Sequence, residues 1–197
     1  MWPWEHVLFA YVCYSTYVHT RYRSRPAEPP VVALALGSVL PDLIDKPLAW
    51  EFGVFETGYA AAHSVFIGMP AALVVYVLAK RRDSGAIGGA FAAGYVLHLV
   101  GDVLPASLSR GRLDLSPVLW PVAGRSSTPE RDSFADGVAG LLTEYVAQLV
   151  TLHLTPIVAL QLGSVVVGIT LWLLDGRPGL SVARSALQRG VERVRGD

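Results

Sequence analysis

Cysteine and charge are both scarce in this sequence. Among 197 residues there is one cysteine, Cys13, so an intrachain disulfide is impossible and a cysteine-based metal site is not expected. Charged residues make up 16% of the chain, against about 25% in an ordinary soluble domain. The net charge is zero and no long basic run occurs, so nucleic acid is not an expected partner. The N-terminus lacks the basic start of a signal peptide, and we expect residue 1 onward to be mature protein.

Apolar residues are abundant instead, at 52% of the chain, and the mean hydropathy is +0.43. These values predict an integral membrane protein, because a helix needs about 20 apolar residues to cross the hydrocarbon layer. The sequence predicts an all-α, polytopic transmembrane helical bundle of about five spans. The predicted spans are residues 4–20, 31–45, 60–79, 86–104 and 157–174. Residues 136–154, which include Glu144, form either a sixth crossing or a partly buried helix.

The segments between these spans are predicted to lie outside the bilayer. Residues 48–57 are typical of an interfacial loop. Residues 105–135 predict a long polar loop, whose apolar piece 116–121 lies back on the membrane surface. After residue 175, apolar residues at helical spacing alternate with arginines, which predicts a basic amphipathic helix on the cytoplasmic surface. The expected organisation is one transmembrane domain over residues 1–175 and a tail helix over residues 176–197.

The basic residues predict the orientation, because cytoplasmic loops carry an excess of Lys and Arg. With five crossings and the 21–25 connector in the cytoplasm, residues 80–82 and the C-terminal tail fall on the same side. That side carries 11 of the 16 Lys and Arg residues. A sixth crossing would send the basic tail to the other side, so five crossings are favoured. We expect an integral protein of the cell (inner) membrane.

Two pairs of ionisable residues interrupt the apolar segments. His98 and Asp102 are four residues apart, and Asp42 and Asp45 are three apart, so each pair shares one face of a helix. Ionisable groups at membrane depth are costly and indicate function. Two carboxylates this close repel each other unless a cation lies between them. A buried His–Asp hydrogen bond and a solvent-capped helix end are the structural alternatives.

Alternating span directions bring these pairs to the same end of the bundle as two more histidines. His6 begins the first span and His63 begins the third, so all of these residues are expected at the non-cytoplasmic end. Imidazole nitrogens and carboxylate oxygens are ligands that suit zinc-class ions. The predicted metal ligands are His6, Asp42, Asp45, His63, His98 and Asp102. A purely structural polar cluster is the alternative.

Several short motifs occur in order along the first 122 residues. They are Glu5-His6, the Gly37–Pro47 block with its Leu-Pro-Asp and second aspartate, Ala62-His63-Ser64, the Gly94–Asp102 helix, and Leu119-Trp120-Pro121. Together they resemble the YdjM-like family of membrane-bound, metal-dependent hydrolases. Ala62 departs from the Gly or Thr that many members have before the His-Ser pair. Residues 123–197 carry no motif of this kind.

The resemblance implies a metal-dependent hydrolase. The distant similarity of that family to zinc-dependent phospholipase C implies an all-helical fold, one to three zinc ions and hydrolysis of a phosphoester. Asp45 or Asp102 could then act as general base toward metal-bound water. Ser64 would hydrogen-bond a ligand or the substrate, and a nucleophilic role is less expected because no dedicated base is apparent. A site at headgroup depth favours a lipid or lipid-linked substrate.

Two other functions stay open at this point. A metal transporter needs ligands near mid-bilayer with access from both sides, whereas the predicted ligands lie near one surface. A non-catalytic membrane scaffold would use the polar cluster only to fix helix packing. Glu144 and His153 are expected to be interfacial or packing residues. The sequence does not specify the substrate, the metal or the oligomeric state.

Overall fold

In the computed structural model, all regular secondary structure is helical over the residues that the structure describes. These are residues 2–123, 133–150, 155–182, 184–185 and 188. The α-helices are α1 (Pro3–Tyr22), α2 (Glu28–Trp50), α3 (Gly68–Lys80), α4 (Gly85–Arg110), α5 (Phe134–Val150) and α6 (Pro156–Leu174). A 3₁₀ turn spans Ser116–Val118, and no strand occurs in these ranges. The predicted all-α class is confirmed for this part of the chain.

Capping hydrogen bonds, backbone angles and prolines explain where the first two helices begin or end. At the start of α1, Glu5 Oε2 accepts a hydrogen bond from the Trp2 backbone N–H at 2.7 Å, which satisfies a donor left free by the helix. α1 ends at Arg23, whose left-handed backbone (φ 51°) stops the helix. α2 carries prolines in its first turn, where a missing N–H costs nothing. α2 continues to Trp50, so the loop begins at residue 51 and not at residue 48 as predicted.

α2 and α4 run parallel, and their backbones touch at two glycines. A Cβ at Gly37 would lie 2.1 Å from the carbonyl oxygen of Phe91, and a Cβ at Gly94 would lie 2.2 Å from that of Leu34. No larger residue fits at either position without separating the helices. The contact therefore sets the alignment of the second halves of both helices, where the predicted ligands lie.

The helix directions produce two different ends of the bundle. α6 runs alongside α1 in the same direction, since Gln161 contacts Glu5 and Asp175 contacts Ser15. α3 and α4 are joined by the short turn 81–84 and run in opposite directions. The starts of α1, α3 and α6 thus lie beside the ends of α2 and α4, and we call this the site end. The opposite end carries the basic segments 21–25 and 80–82.

Two of the described helices are long and apolar enough to cross a membrane. They are Gly85–Arg110 and Pro156–Leu174. α3 is apolar but has only 13 residues, which is short of the roughly 20 that a span needs. The expectation of about five spans is therefore not confirmed.

Residues 51–67 form an irregular loop, so the predicted crossing 60–79 was wrong in its first part. The backbone N–H groups of Ala60, Ala62 and His63 donate to the Asp45 carboxylate at 2.9–3.0 Å. A carboxylate thus satisfies donors that would otherwise form a helical turn, and the loop wraps around it. α3 begins only at Gly68.

The predicted loop 105–135 was also wrong in part. α4 continues through Pro105 to Arg110, and the 3₁₀ turn that follows packs into the bundle instead of lying on the membrane surface. Val118 is 4% exposed in a cluster with Leu99. Its carbonyl accepts a hydrogen bond from the Val65 N–H at 2.9 Å. Because the 51–67 loop supplies this partner, the backbone of the segment can be buried without an unsatisfied group.

α5 lies across the site end. The Phe134 N–H donates to Glu51 Oε2 at 3.0 Å, and Tyr145 packs edge-on against Trp2 and Trp4 at the start of α1. Because both ends of this stretch contact the same end of the bundle, the arrangement supports a non-crossing helix over a sixth span.

Two further predictions concern the C-terminal part. Glu144 is exposed on α5, in agreement with an interfacial role. His153 lies outside the described residues. The predicted tail helix 176–197 is mostly outside them too, although residues 180–182, 184–185 and 188 are helical.

A buried carboxylate joins α6 to α1 at the end opposite the site. Asp175, which caps α6, is 7% exposed. It accepts hydrogen bonds from the hydroxyls of Tyr11 and Ser15 at 2.6 and 2.7 Å and pairs with His19 Nε2 at 2.7 Å. Burial raises the pKa of Asp175, but these hydrogen bonds outweigh burial and hold its pKa below the usual range.

We expect Asp175→Asn to lower the stability of the protein by about 2 kcal/mol, the scale of hydrogen bonds to a charged group. Because the folded pKa lies below the unfolded value near 3.9, the stabilisation is present above about pH 4 and is lost as the pH falls further. Thermal unfolding in detergent measures the change. Asp83→Asn, at an exposed turn position, is the control. Equal melting temperatures for both variants would contradict the prediction.

Candidate metal centre

The six predicted ligands meet at the site end of the bundle. α1 carries His6, α2 carries both aspartates of its pair, the 51–67 loop carries His63, and α4 carries His98 and Asp102. The three imidazoles are 0% exposed, and the aspartates are between 0 and 5% exposed. Ionisable groups buried to this degree are costly unless they are paired with each other or coordinate a cation.

Two groups of candidate ligands share His98: one also contains His6 and Asp102, and the other contains Asp42 and His63. His63 Nε2 and His98 Nε2 are 3.1 Å apart. Asp42 Oδ1 lies 3.4 and 3.8 Å from these two nitrogens, and Asp102 Oδ2 lies 3.5 and 3.3 Å from them. Ligands at about 2.05 Å from a tetrahedral zinc ion stand about 3.3 Å apart. The separations of both aspartates from the two imidazoles therefore suit a metal ion held beside His63 and His98.

His6 adds a fifth ligand atom beside this set. Its ring stacks on the ring of His98, with centroids 3.9 Å apart, and its Nε2 lies 3.4 Å from Asp102 Oδ1. Among the described residues, neither ring nitrogen of His6 has a hydrogen-bond partner, although His6 is fully buried. A buried imidazole left in this way is costly, and a cation bound there would satisfy it. The residues present therefore fit a metal ion.

Asp45 lies behind His63 rather than among the inner atoms. Its Oδ2 contacts His63 Nδ1 at 2.8 Å, and its two oxygens accept the three loop N–H groups described above. A carboxylate that binds the outer nitrogen of a histidine fixes the ring and turns its other nitrogen toward the metal. This arrangement orients His63 Nε2 toward the ligand set.

His98 is oriented in the same way by the backbone. Its Nδ1 lies 2.7 Å from the carbonyl oxygen of Ser38 on α2, so Nδ1 carries the proton and donates it. His98 Nε2 is then the free lone pair that faces the other ligands. The glycine contact between α2 and α4 brings this carbonyl within reach.

The carboxylates change the protonation of His63. Burial lowers the pKa of His63, but the hydrogen-bonded carboxylates around it, Asp102 and Asp42 foremost, raise it to about 10. A metal ion needs the neutral imidazole, so a proton on His63 competes with the metal.

The match to a known protein family covers most of the chain. Residues 1–175 match the sequence profile of the YdjM inner membrane protein family. The chain belongs to this family. It matches no curated protein and no solved structure. Membership in the YdjM family, together with two helices long enough to span, makes this an inner membrane protein.

The motifs that resemble the YdjM family are brought together by the fold. Ser64 donates its hydroxyl to the carbonyl of Trp120 at 2.6 Å and accepts the Phe66 N–H at 3.1 Å. The His-Ser motif and the Leu-Trp-Pro motif therefore form one contact that holds the loop beside the site. The Ser64 hydroxyl thus donates to one backbone group and accepts from another.

Sequence reasoning missed three residues that support the site. The Ser38 carbonyl orients His98, the Tyr95 hydroxyl donates to the Ala62 carbonyl, and Lys46 pairs with Asp42. Lys46 stands four residues after Asp42, so helical spacing could have revealed that pair. The other two contacts depend on tertiary packing and leave no local signal.

Proposed function

We propose that this protein is a membrane-bound, metal-dependent hydrolase that acts on a phosphoester. One observation carries the proposal: two buried groups of nitrogen and oxygen atoms, His6 with His98 and Asp102 and Asp42 with His63 and His98, come from distant parts of the chain and lie close enough within each group to hold a metal ion. Zinc is the favoured metal because imidazole and carboxylate suit it.

The ligand roles divide according to the distances. His63, His98, Asp42 and Asp102 Oδ2 would hold the ion, with Asp45 as the positioning carboxylate behind His63. His6 and Asp102 Oδ1 stand to one side of this set, at 3.4 Å from each other. They would help to hold the same ion or would hold a second one.

A zinc-class ion supplies a Lewis acid that lowers the pKa of bound water to about 7. Where Asp102 Oδ1 and His6 do not themselves bind metal, they would be the base that accepts a proton from water at the site, since they lie 3.4 Å apart beside the other ligands. Asp45 is a weaker candidate base, since both of its oxygens already accept hydrogen bonds. Ser64 would keep the loop in place.

An apolar cavity supports a substrate with a hydrocarbon chain. The cavity has a volume of about 590 Å³ and lies between α1, α2 and α6. Its lining includes Val7, the neighbour of His6, and Val39, one turn before Asp42. None of the six ligands lines the cavity, which extends to Trp172 and Leu180 toward the opposite end. Because its other end reaches the neighbours of His6 and Asp42, we propose a lipid or lipid-linked phosphoester as the substrate.

We also propose that the site faces the non-cytoplasmic side of the inner membrane. The basic segments 21–25 and 80–82 lie at the opposite end of the bundle, and such segments remain in the cytoplasm. Ligands near one surface, rather than at mid-bilayer, favour an enzyme over a transporter.

Metal removal tests the proposed function. We expect protein purified in mild detergent to contain about one or two zinc ions per chain and to hydrolyse bis(p-nitrophenyl) phosphate or a phospholipid, since the ligand set suits this metal. Chelation should abolish the activity, and added zinc should restore it. Protein without metal, and with unchanged thermal stability after chelation, would instead favour a scaffold. Zinc uptake into proteoliposomes would favour a transporter.

A further inference from the structure

A lysine stands against the buried ligand set. Lys46 lies one helical turn after Asp42 on α2, and its Nζ is 2.6 Å from Asp42 Oδ2. The other oxygen of the same carboxylate, Oδ1, is the one that faces His63 and His98. One carboxylate group therefore separates the ammonium from the position of the ion.

Lys46 is also the more accessible partner of this pair. Its side chain is 14% exposed, whereas the side chains of Asp42 and Asp102 are 5% and 3% exposed and the site histidines are 0% exposed. A ligand that reaches the buried set along this side of α2 passes the ammonium first. The Lys46 stem packs under Gly58, and its Nζ lies 5.9 Å from the ring of Trp50. These contacts hold the ammonium at the rim of the site.

The charge balance gives Lys46 a further role. A dication held among Asp42, Asp45 and Asp102 leaves one net negative charge, because three carboxylates outweigh two positive charges. An anionic substrate would be repelled by such a site, and the repulsion is strong where water is excluded. With one ion bound, the ammonium of Lys46 offsets this negative charge and offers three N–H donors.

We propose that Lys46 is an anion-binding residue that receives a phosphoryl oxygen of the substrate at the metal centre. The inference rests on the proposed hydrolase function and narrows its substrate to an anionic ester. Lys46 then divides its hydrogen bonds between Asp42 and the phosphoryl oxygen. Neutral esters gain nothing from this contact.

Lys46→Met and Lys46→Arg, compared in the zinc-loaded protein, test the proposal. Methionine keeps the stem length and removes the charge, and arginine keeps the charge. We expect Lys46→Met to retain the zinc content of the wild type and to bind inorganic phosphate at least about tenfold more weakly by calorimetry, the loss of one charge-assisted hydrogen bond. Lys46→Arg should recover most of the binding. The kcat/KM for bis(p-nitrophenyl) phosphate should fall similarly, and that for the neutral p-nitrophenyl acetate should not.

The outcomes separate this inference from the function on which it rests. Unchanged phosphate binding in Lys46→Met would overturn the anion-binding role. Loss of zinc from the same variant would also overturn it, because Lys46 would then act by holding Asp42. Wild-type protein that binds zinc and phosphate through Lys46 but hydrolyses no ester would uphold the anion site and refute the hydrolase.

Discussion

We expect His98→Ala to purify without its metal. His98 Nε2 is within 3.8 Å of three other ligand atoms. Its removal therefore takes away the ligand that lies close to all of them. Loss of a group that only hydrogen-bonds to a metal ligand already lowers metal affinity by about 10–100-fold, and loss of the ligand His98 should lower it further. Elemental analysis and a zinc-chelator competition assay measure the change. Hydrolytic activity should fall below detection in parallel.

His19→Ala is the matched control for this experiment. His19 is a histidine of α1 at the opposite end of the bundle, bonded to Asp175 and not to the ligand set. Its removal should leave the zinc content unchanged. If His98→Ala and wild type bind zinc with equal affinity, the ion is held elsewhere and the metal centre described here is incorrect.

The second large effect is expected from Gly94→Ala. The new Cβ would lie 2.2 Å from the Leu34 carbonyl oxygen and 3.1 Å from the Ser38 nitrogen, both of them backbone atoms that move only with the whole of α2. Overpacking of this kind costs about 3 kcal/mol or more. Because separation of the helices also draws the Ser38 carbonyl away from His98, the variant should lose metal affinity as well as stability. Thermal unfolding and zinc titration in detergent report the two effects.

Gly163→Ala provides the comparison, since no atom from another part of the described chain lies within 4 Å of a Cβ at that position of α6. Alanine there should be neutral or stabilise the helix by about 0.5–1 kcal/mol. A Gly94→Ala protein as stable as Gly163→Ala would mean that α2 and α4 do not touch as described.

Much of the ligand set could be predicted from spacing alone. His98 and Asp102 share a face of α4 because they stand four residues apart, and the alternation of apolar segments places His6 and His63 at the same end. Both arguments need only helical periodicity and the chain order. The small residues of α4, Gly94 among them, are a sequence signal for a close approach to another helix, although they do not identify α2 as that helix.

The division of roles within the set could not be predicted. Asp45 stands in the same motif as Asp42, and nothing in its local sequence distinguishes a ligand from a positioning carboxylate. The difference arises because the 51–67 loop folds over Asp45 and donates backbone N–H groups to it. The apolar composition of residues 60–67 favours a helix, and a tertiary contact overrides that preference.

The irregular loop that carries His63 folds around the carboxylate of Asp45, which precedes the loop in the chain. Asp45 precedes the three amide groups that it binds by 15 to 18 residues, and it belongs to a helix with regular hydrogen bonds of its own. During synthesis the N-terminal part of the chain emerges first, so Asp45 leaves the ribosome before the loop residues that bind it. The carboxylate that positions the His63 imidazole is therefore already part of the nascent chain when the loop is synthesised.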